Sequence, residues 1–377
     1  MRIISDTEVT THILPRLTLS SLLHSQALAF LSPTSQCPAR ISLSTPNYTQ
    51  LFMPARTSTP SSVIKIVSVP SGANAVSGIS GVNIVFDDET GKVSWTVGSS
   101  CLTALRTAGG SLMSSILVFG GSDKGEVREC VVFGDGMQSV FHVWLHLRYF
   151  AGLQRITVVV GSHRTVSPEQ VEEKGAQFRS HLEDLCKTSP EATASWTMRC
   201  IPAQQQEEVK VALQSSQLIF TCTPSTQPLF PHEYLSDCKQ RKHICAVGSY
   251  KPSMCELPAD LVRSASEIRA GLMVDSIEAC ASEAGCLTQA LGQERLKESC
   301  VELSKLLPPV EEEGHESDYL AKLERQASEF GGGGVAEEKG KGGIVSVFKS
   351  VGVGLQDVEV TKLVVRLAGD VGTEVAF

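Results

Sequence analysis

Hydrophobic positions change their spacing along this chain, and the changes divide it into regions. Residues 1 to about 32 read as helical: Ser5 and Asp6 can cap a stretch from Thr7 to Leu14, and Leu22, Leu23, Ala27, Leu28 and Leu31 fall on one helical face. From Ile41 to about Val97 the pattern turns to short β-type runs separated by Gly, Pro, Ser and Asn. These are Gln50–Met53, Val63–Val69, Asn83–Phe86 and, after the turn Asp88-Glu89-Thr90-Gly91, Val93–Val97. Such runs predict an antiparallel sheet. A helix rich in Ala and Leu follows near Leu102–Ser115.

After Gly120-Gly121-Ser122-Asp123-Lys124-Gly125, a polar break suited to a domain boundary, apolar runs alternate with helical stretches. The runs are Val127–Phe133, Ile156–Val160, Thr197–Ile201, Leu218–Thr223, His243–Val247 and Gly271–Val274. Continuously apolar strands separated by helices are what a parallel sheet buried on both faces requires, so the expected class is α/β, doubly wound. Past Pro308-Pro309 lie an acidic run at Glu311-Glu312-Glu313 and an amphipathic helix with Tyr319, Leu320, Leu323, Ala327 and Phe330 on one side. Gly331–Gly334 and Glu337–Gly343 follow as a flexible linker, and the whole stretch reads as a surface insertion, with a partner-docking helix as the alternative. A strand at Ile344–Ser350 and a helix at Leu355–Leu367 close the chain.

Composition narrows the function. The 377 residues are 42% hydrophobic and 20% charged, enough to bury a large core, and a net charge of -8 argues against nucleic acid or an anionic membrane as the main partner. A small-molecule role is expected. Twelve cysteines without a C-x-x-C pair, and no secretory apolar segment, predict a cytoplasmic protein with buried thiols and no zinc site. No apolar run of about 18 residues predicts a membrane span.

The most informative local motif is Phe133-Gly134-Asp135-Gly136-Met137-Gln138-Ser139, at the end of an apolar strand and the start of a helix. The first glycine permits a tight turn. The second lets a pyrophosphate approach the helix N-terminus, where free N–H groups and the helix dipole favour negative charge. Ser139 replaces the usual third Gly or Ala and is still small. At the end of the next strand an NAD site carries an acid for the ribose 2′-hydroxyl; here the sequence is Gly161-Ser162-His163-Arg164-Thr165. Arg164 with Ser162 and Thr165 could hold a 2′-phosphate, which predicts NADP(H) in preference to NAD(H).

Several stretches together resemble the ornithine cyclodeaminase/mu-crystallin family. They are Leu51-Phe52-Met53-Pro54-Ala55, Lys65, Asp87–Gly91, Leu102-Thr103-Ala104-Leu105-Arg106-Thr107-Ala108, Gly134–Gln138 with His142, Ala246–Ser249 through Glu256-Leu257, and Phe348–Gly352 through Asp357. The resemblance implies a Rossmann domain inserted into a discontinuous α+β domain used for substrate binding and dimerisation. On that basis residues 1–122 and 344–377 form the latter, 123–308 the nucleotide domain and 309–343 the insertion, with the active site in the cleft between domains. It further implies that Arg40, Lys65 and Arg106 bind a substrate carboxylate, with Lys65 and Arg106 catalytic. Thr107, Thr223, Val247, Ser249 and Ser350 join Gly134, Gly136, Met137 and Gln138 around the cofactor. Elementary chemistry supports the three cations, since a partly buried carboxylate needs paired cationic donors.

Two departures bear on the reaction. Tyr250 stands where cyclodeaminases carry an aspartate, and Leu51 where they carry an amine-binding acid, so strict ornithine cyclodeamination lacks a general base. The remaining family chemistry is hydride transfer between NAD(P)H and a C=N bond beside a carboxylate, as in ketimine reductases and amino-acid dehydrogenases. Lys65 is a candidate proton donor. Nucleotide binding without turnover and cyclodeaminase-like deamination are the alternatives. The expected partners are a small amino or imino acid and a second copy in a homodimer. His142 and His146, at metal-pair spacing, read as core packing, and Cys101, Cys222 and Cys245 as structural thiols.

Overall fold

A computed structural model describes residues 1–32, 35–59, 61–72, 74, 76, 78–162, 165–189, 195–236, 238–311, 316–331 and 344–376. They pack as two units. One comprises Met1–Gly109, Pro309–Leu320 and Val353–Phe377; the other comprises Gly110–Pro308 and Ala321–Gly352.

The first unit is built on a seven-stranded sheet. Its antiparallel centre is formed by Tyr48–Arg56, Ser62–Pro70, Ser80–Phe86 and Val93–Gly98. Alternate residues of Tyr48–Arg56 are buried, among them Leu51, Met53 and Ala55, as period-two patterning demands. The exposed strand Ile41–Ser44 forms one edge. Arg2–Ile4 pairs in parallel with Val93–Gly98 on the other side and is itself covered by Thr373–Glu374; these short strands carry too few residues to show a pattern. Helix Gly354–Ala368 lies against the sheet, where Val358 and Leu355 pack on Ala55, Val63 and Val85. Ser5 is the N-cap, as expected, and forms a capping box with Glu8, but only Asp6–Glu8 is α-helical before the chain widens to a π-turn over Val9–Ile13.

The second unit holds an eight-stranded sheet that is parallel throughout. Across the sheet its strands run Val301–Glu302, Leu272–Val274, Val345–Lys349, Lys242–Ala246, Leu218–Thr221, Glu129–Phe133, Arg155–Val160 and Thr197–Pro202. Every residue of Leu218–Thr221 and Lys242–Ala246 is buried, so the doubly wound class holds.

Four expectations change. The strand near 344–350, expected with the first domain, is a central strand of the parallel sheet, because its apolar run pairs with Lys242–Ala246 and Leu272–Val274. The Gly120–Gly125 break is a 3₁₀ turn, Gly121–Glu126, within the second unit; the packing boundary falls at Gly109 and Gly110, inside the continuous helix Ser99–Phe119. By length and composition that helix could cross a membrane, contrary to the sequence reading, and its most apolar window is wholly buried inside the protein. Helix Tyr319–Gly331 buries Tyr319, Leu323 and Ala327 instead of standing as a surface insertion, and Tyr149 and Lys124 both bond to its Glu324. Most of the expected glycine linker, 332–343, lies outside the described residues.

Candidate functional site

Strand Glu129–Phe133 pairs with Arg155–Val160 on one side and Leu218–Thr221 on the other, so the order of strands along the chain reverses beside it. Such a switch point opens a crevice at the carboxyl ends of the strands. Gly134 leaves the strand with φ +111°, and a Cβ there would lie 2.6 Å from Thr223 Oγ1. Gly136 is the N-cap of helix Met137–Tyr149; no side chain caps that helix, and no atom lies within 4 Å of where a Cβ on Gly136 would be. The helix thus presents uncapped backbone N–H groups beside open space, the arrangement that binds a phosphate. Asp135 between the glycines is paired with Lys174, which offsets its charge near any anion. The hydroxyls of Thr223 and Ser162 are buried with no hydrogen-bond partner among the described residues. A dinucleotide fits this set: turn glycines, free amides and unused hydroxyls.

The other predicted contacts divide. Ser162 and Thr165 line a cleft of about 920 Å³ with Gly161, Gln204 and Phe230, beyond the ends of two strands. Arg164, on which the NADP(H) expectation leaned, lies outside the described residues. Met137 is half-exposed at the first helical position, and the Gln138 amide lies 3.2 Å from His142 Nδ1. Val247 follows strand Lys242–Ala246 and donates its N–H to Thr221 O. Ser249 donates its hydroxyl to Glu256 Oε1 (2.6 Å), and Ser350 to Asp275 Oδ2 (2.7 Å), so these side chains are held in the loops' own networks. In the first unit, Thr107 donates to Thr103 O, one turn earlier in its helix.

Beneath the crevice lies a network that the sequence reading missed. Glu256 Oε2 accepts from Thr221 Oγ1 and Gly248 N, and Oε1 from Ser249 N and Lys349 Nζ. Lys349, fully buried, also donates to the carbonyls of Ala246, Ser249 and Ser350. Burial opposes its charge, but Glu256, together with Cys286 and Cys280, holds the ammonium above its ordinary pKa. Asp275 does the same for the next loop, accepting from Val351 N and Gly352 N. Glu256 and Lys349 both fall within stretches that carried the family resemblance, but nothing local marks them as partners.

In the first unit, two of the three predicted cations converge. Lys65 stands on the buried face of its strand, in register between Met53 and Asn83. Its Nζ lies 3.1 Å from Asp357 Oδ1, and Arg106 Nε lies 3.2 Å from the same oxygen. Arg106 Nη1 donates to Gln356 Oε1 at 3.0 Å. Burial pulls the Lys65 ammonium down to about 8; Asp357 opposes the fall, while Arg106 and Arg40 add to it. Arg40 is half-exposed and within electrostatic reach of Lys65. Asp357 and Gln356 were missed as site members, although Asp357 falls within a stretch that carried the family resemblance.

The histidines and thiols take their expected structural places. His142 and His146 bond Ser111 and Ser115 through Nε2, and His243 bonds Ser114 and Ser346, all fully buried. Among the described residues no group of His, Cys, Asp and Glu could hold a metal ion. Burial raises the thiols of Cys101 to about 12 and Cys245 to about 11, and raises Cys222 also, so none is poised as a nucleophile.

No family model matches the chain. It is 26% identical over 285 residues to the iminosuccinate reductase of Paracoccus denitrificans, covering 75% of this chain and 69% of that protein. It is 28% identical over 180 residues to a Δ(1)-pyrroline-2-carboxylate reductase of Bacillus thuringiensis, covering 47% of this chain and 45% of that one, so it spans under half the length of this relative. Two solved structures share the fold across all of both chains. One is the Thermococcus litoralis Δ(1)-pyrroline-2-carboxylate reductase in complex with NADH and L-proline, with TM-score 0.72 and 17% identity. The other is a probable ornithine cyclodeaminase from Bordetella pertussis, with TM-score 0.68 and 22% identity. Fold and crevice define a Rossmann-type protein with a second, mixed-sheet unit. These likenesses accord with the resemblance to the ornithine cyclodeaminase/mu-crystallin family.

Proposed function

We propose that the protein is an NAD(P)H-dependent imine reductase acting on a C=N bond next to a carboxylate. The observation that carries this reading is the convergence of Lys65 and Arg106 on one buried point, in a chain whose other unit holds a crevice suited to a dinucleotide. The names of the relatives, iminosuccinate reductase and pyrroline-2-carboxylate reductase, support it.

The bound nicotinamide supplies the hydride. Gly134, Gly136 and the first amides of helix Met137–Tyr149 would hold its pyrophosphate, with Met137, Gln138 and Thr223 beside them and Thr107, Val247, Ser249 and Ser350 as further contacts. Lys65, Arg106 and Arg40 would bind the substrate carboxylate and fix the imine carbon in place. Lys65, with its ammonium brought down to about 8, is able to release a proton to the substrate nitrogen near neutral pH. The stretch 161–165, in which Ser162 and Thr165 stand without an acid in the sequence, supports a preference for NADP(H), and Arg164 is the proposed 2′-phosphate partner.

We propose a homodimer through the outer face of the mixed sheet. Phe52, Ile66 and Val82 line up across three strands there, with Ile64 and Ile84 in the next row, all only half-buried. A cytoplasmic setting accords with twelve free cysteines.

The test is nicotinamide fluorescence on titration with NADPH and NADH, followed by cofactor oxidation with pyrroline-2-carboxylate, iminosuccinate, and pyruvate with ammonia. NADPH binding with reduction of at least one imine is expected. Binding without any turnover would leave a nucleotide-binding protein, release of ammonia from ornithine would indicate a cyclodeaminase, and equal Michaelis constants would refute the NADP(H) preference.

A further inference from the structure

We propose that Asp357 is a positioning residue for the carboxylate-binding cations: an internal carboxylate that keeps Lys65 charged and holds Lys65 and Arg106 on a common point, ready for the substrate. This rests on the reading of Lys65 and Arg106 as the substrate clamp.

The geometry differs from that of an ordinary structural salt bridge. Both cations address the same oxygen, Oδ1, while Asp357 Oδ2 is buried without a hydrogen-bond partner among the described residues. The side chains of all three are no more than 6% exposed. Two cations facing one anion leave a buried excess of positive charge. A buried imbalance of that sign calls for a second anion. Two cationic donors close together suit a carboxylate.

Asp357 is itself fixed to the sheet. Thr361 Oγ1 donates to Asp357 O at 2.5 Å and accepts from Asn83 Nδ2 at 2.7 Å, and Asn83 is the cross-strand partner of Lys65. The neighbouring Gln356 accepts from Arg106 Nη1 and donates its amide to Gln26 Oε1 (3.0 Å) and Arg106 O (3.3 Å). Helix Gly354–Ala368 therefore aims two consecutive side chains at the two cations and is held in register by the next turn.

The charged and titratable groups around Lys65 are Asp357, Arg106 and Arg40, with Cys37 acting on the cluster through Asp357 and Arg40; Met53 and Asn83 on the flanking strands do not titrate. Removing Asp357 would leave Lys65, among the described residues that act on it, with the cations Arg106 and Arg40. Its proton would then be lost at lower pH, and carboxylate binding with it.

The experiment is calorimetric titration of the cofactor-saturated protein with pyrrole-2-carboxylate, a planar analogue of a cyclic imino acid, between pH 6 and 10. In the unaltered protein, affinity is expected to fall as pH rises through about 8. In Asp357→Asn the fall should come about one pH unit or more earlier. A midpoint that does not move overturns the proposal. Should the Asn variant fail to bind cofactor, Asp357→Glu decides: it keeps the charge but moves it by one methylene, so a preserved midpoint with roughly tenfold weaker binding at pH 7 is expected. Unchanged affinity there overturns the positioning role. If the unaltered protein binds no carboxylate at any pH, the clamp fails along with the reductase reading.

Discussion

Glu256 and Lys349, 93 residues apart in sequence, meet as a fully buried ion pair with Oε1 2.9 Å from Nζ. Every other bond of the pair described above goes to the last residues of neighbouring strands or to the loops that follow them. Removing one partner leaves an uncompensated buried charge, so Lys349→Met or Glu256→Gln should each cost about 3–5 kcal/mol of stability. Urea unfolding followed by tryptophan fluorescence measures this. A loss below roughly 1 kcal/mol in both variants would show that the pair is solvated in solution.

The turn glycines make a controlled comparison. Gly134→Ala meets Thr223 Oγ1 at 2.6 Å in a left-handed backbone and should destabilise the fold as well as weaken cofactor binding. Gly136→Ala meets nothing within 4 Å, so its stability should stay within about 0.5 kcal/mol of the original. NADPH binding should nevertheless weaken at least tenfold in Gly136→Ala, about 1.4 kcal/mol, if a phosphate approaches that backbone. Unimpaired titration curves would place the cofactor elsewhere.

Acid should weaken the second unit. Burial lowers His142 to about 4 and His243 to about 3, and holds His146 well below its ordinary value. Below about pH 6.5 the unfolded chain takes up protons that these neutral rings refuse. Stability is therefore lost as pH falls, by about 1.4 kcal/mol per pH unit for each histidine until the folded values are reached. Tm should drop by roughly 5 °C or more between pH 7 and 5. A flat Tm over that range would mean that the histidines are charged in the folded protein.

Lys65→Met should leave NADPH binding intact and reduce ketimine turnover by about a thousandfold or more, as expected for loss of both a carboxylate contact and a proton source. Steady-state kinetics separates the two roles. A raised KM with kcat retained would indicate that Lys65 only binds.

Much of this was legible in the sequence, for identifiable reasons. The alternation in Tyr48–Arg56 and the unbroken apolar runs of the parallel strands report burial on one face or two, and Gly134-Asp135-Gly136 reports a backbone shape that side chains forbid. Pairings between distant charges leave no periodic trace. Asp357 lies 292 residues from Lys65, and nothing local to it marks it as a counter-ion. The same blindness placed the strand near 344–350 in the wrong sheet, since its apolar run would suit either one. Ser249 and Ser350 were expected at the cofactor from the family resemblance, and their hydroxyls bond to Glu256 and Asp275, a pairing no local pattern marks.

Strand Val345–Lys349 has a consequence for synthesis. It lies between Lys242–Ala246 and Leu272–Val274, both made long before it. Until the ribosome has delivered residue 349, those two strands are held apart by a missing member, each exposing an unpaired edge, and Glu256 lacks its ammonium. Growing chains of this protein thus pass through a long interval with adhesive edges uncovered, and the second unit closes only once residue 349 has been made.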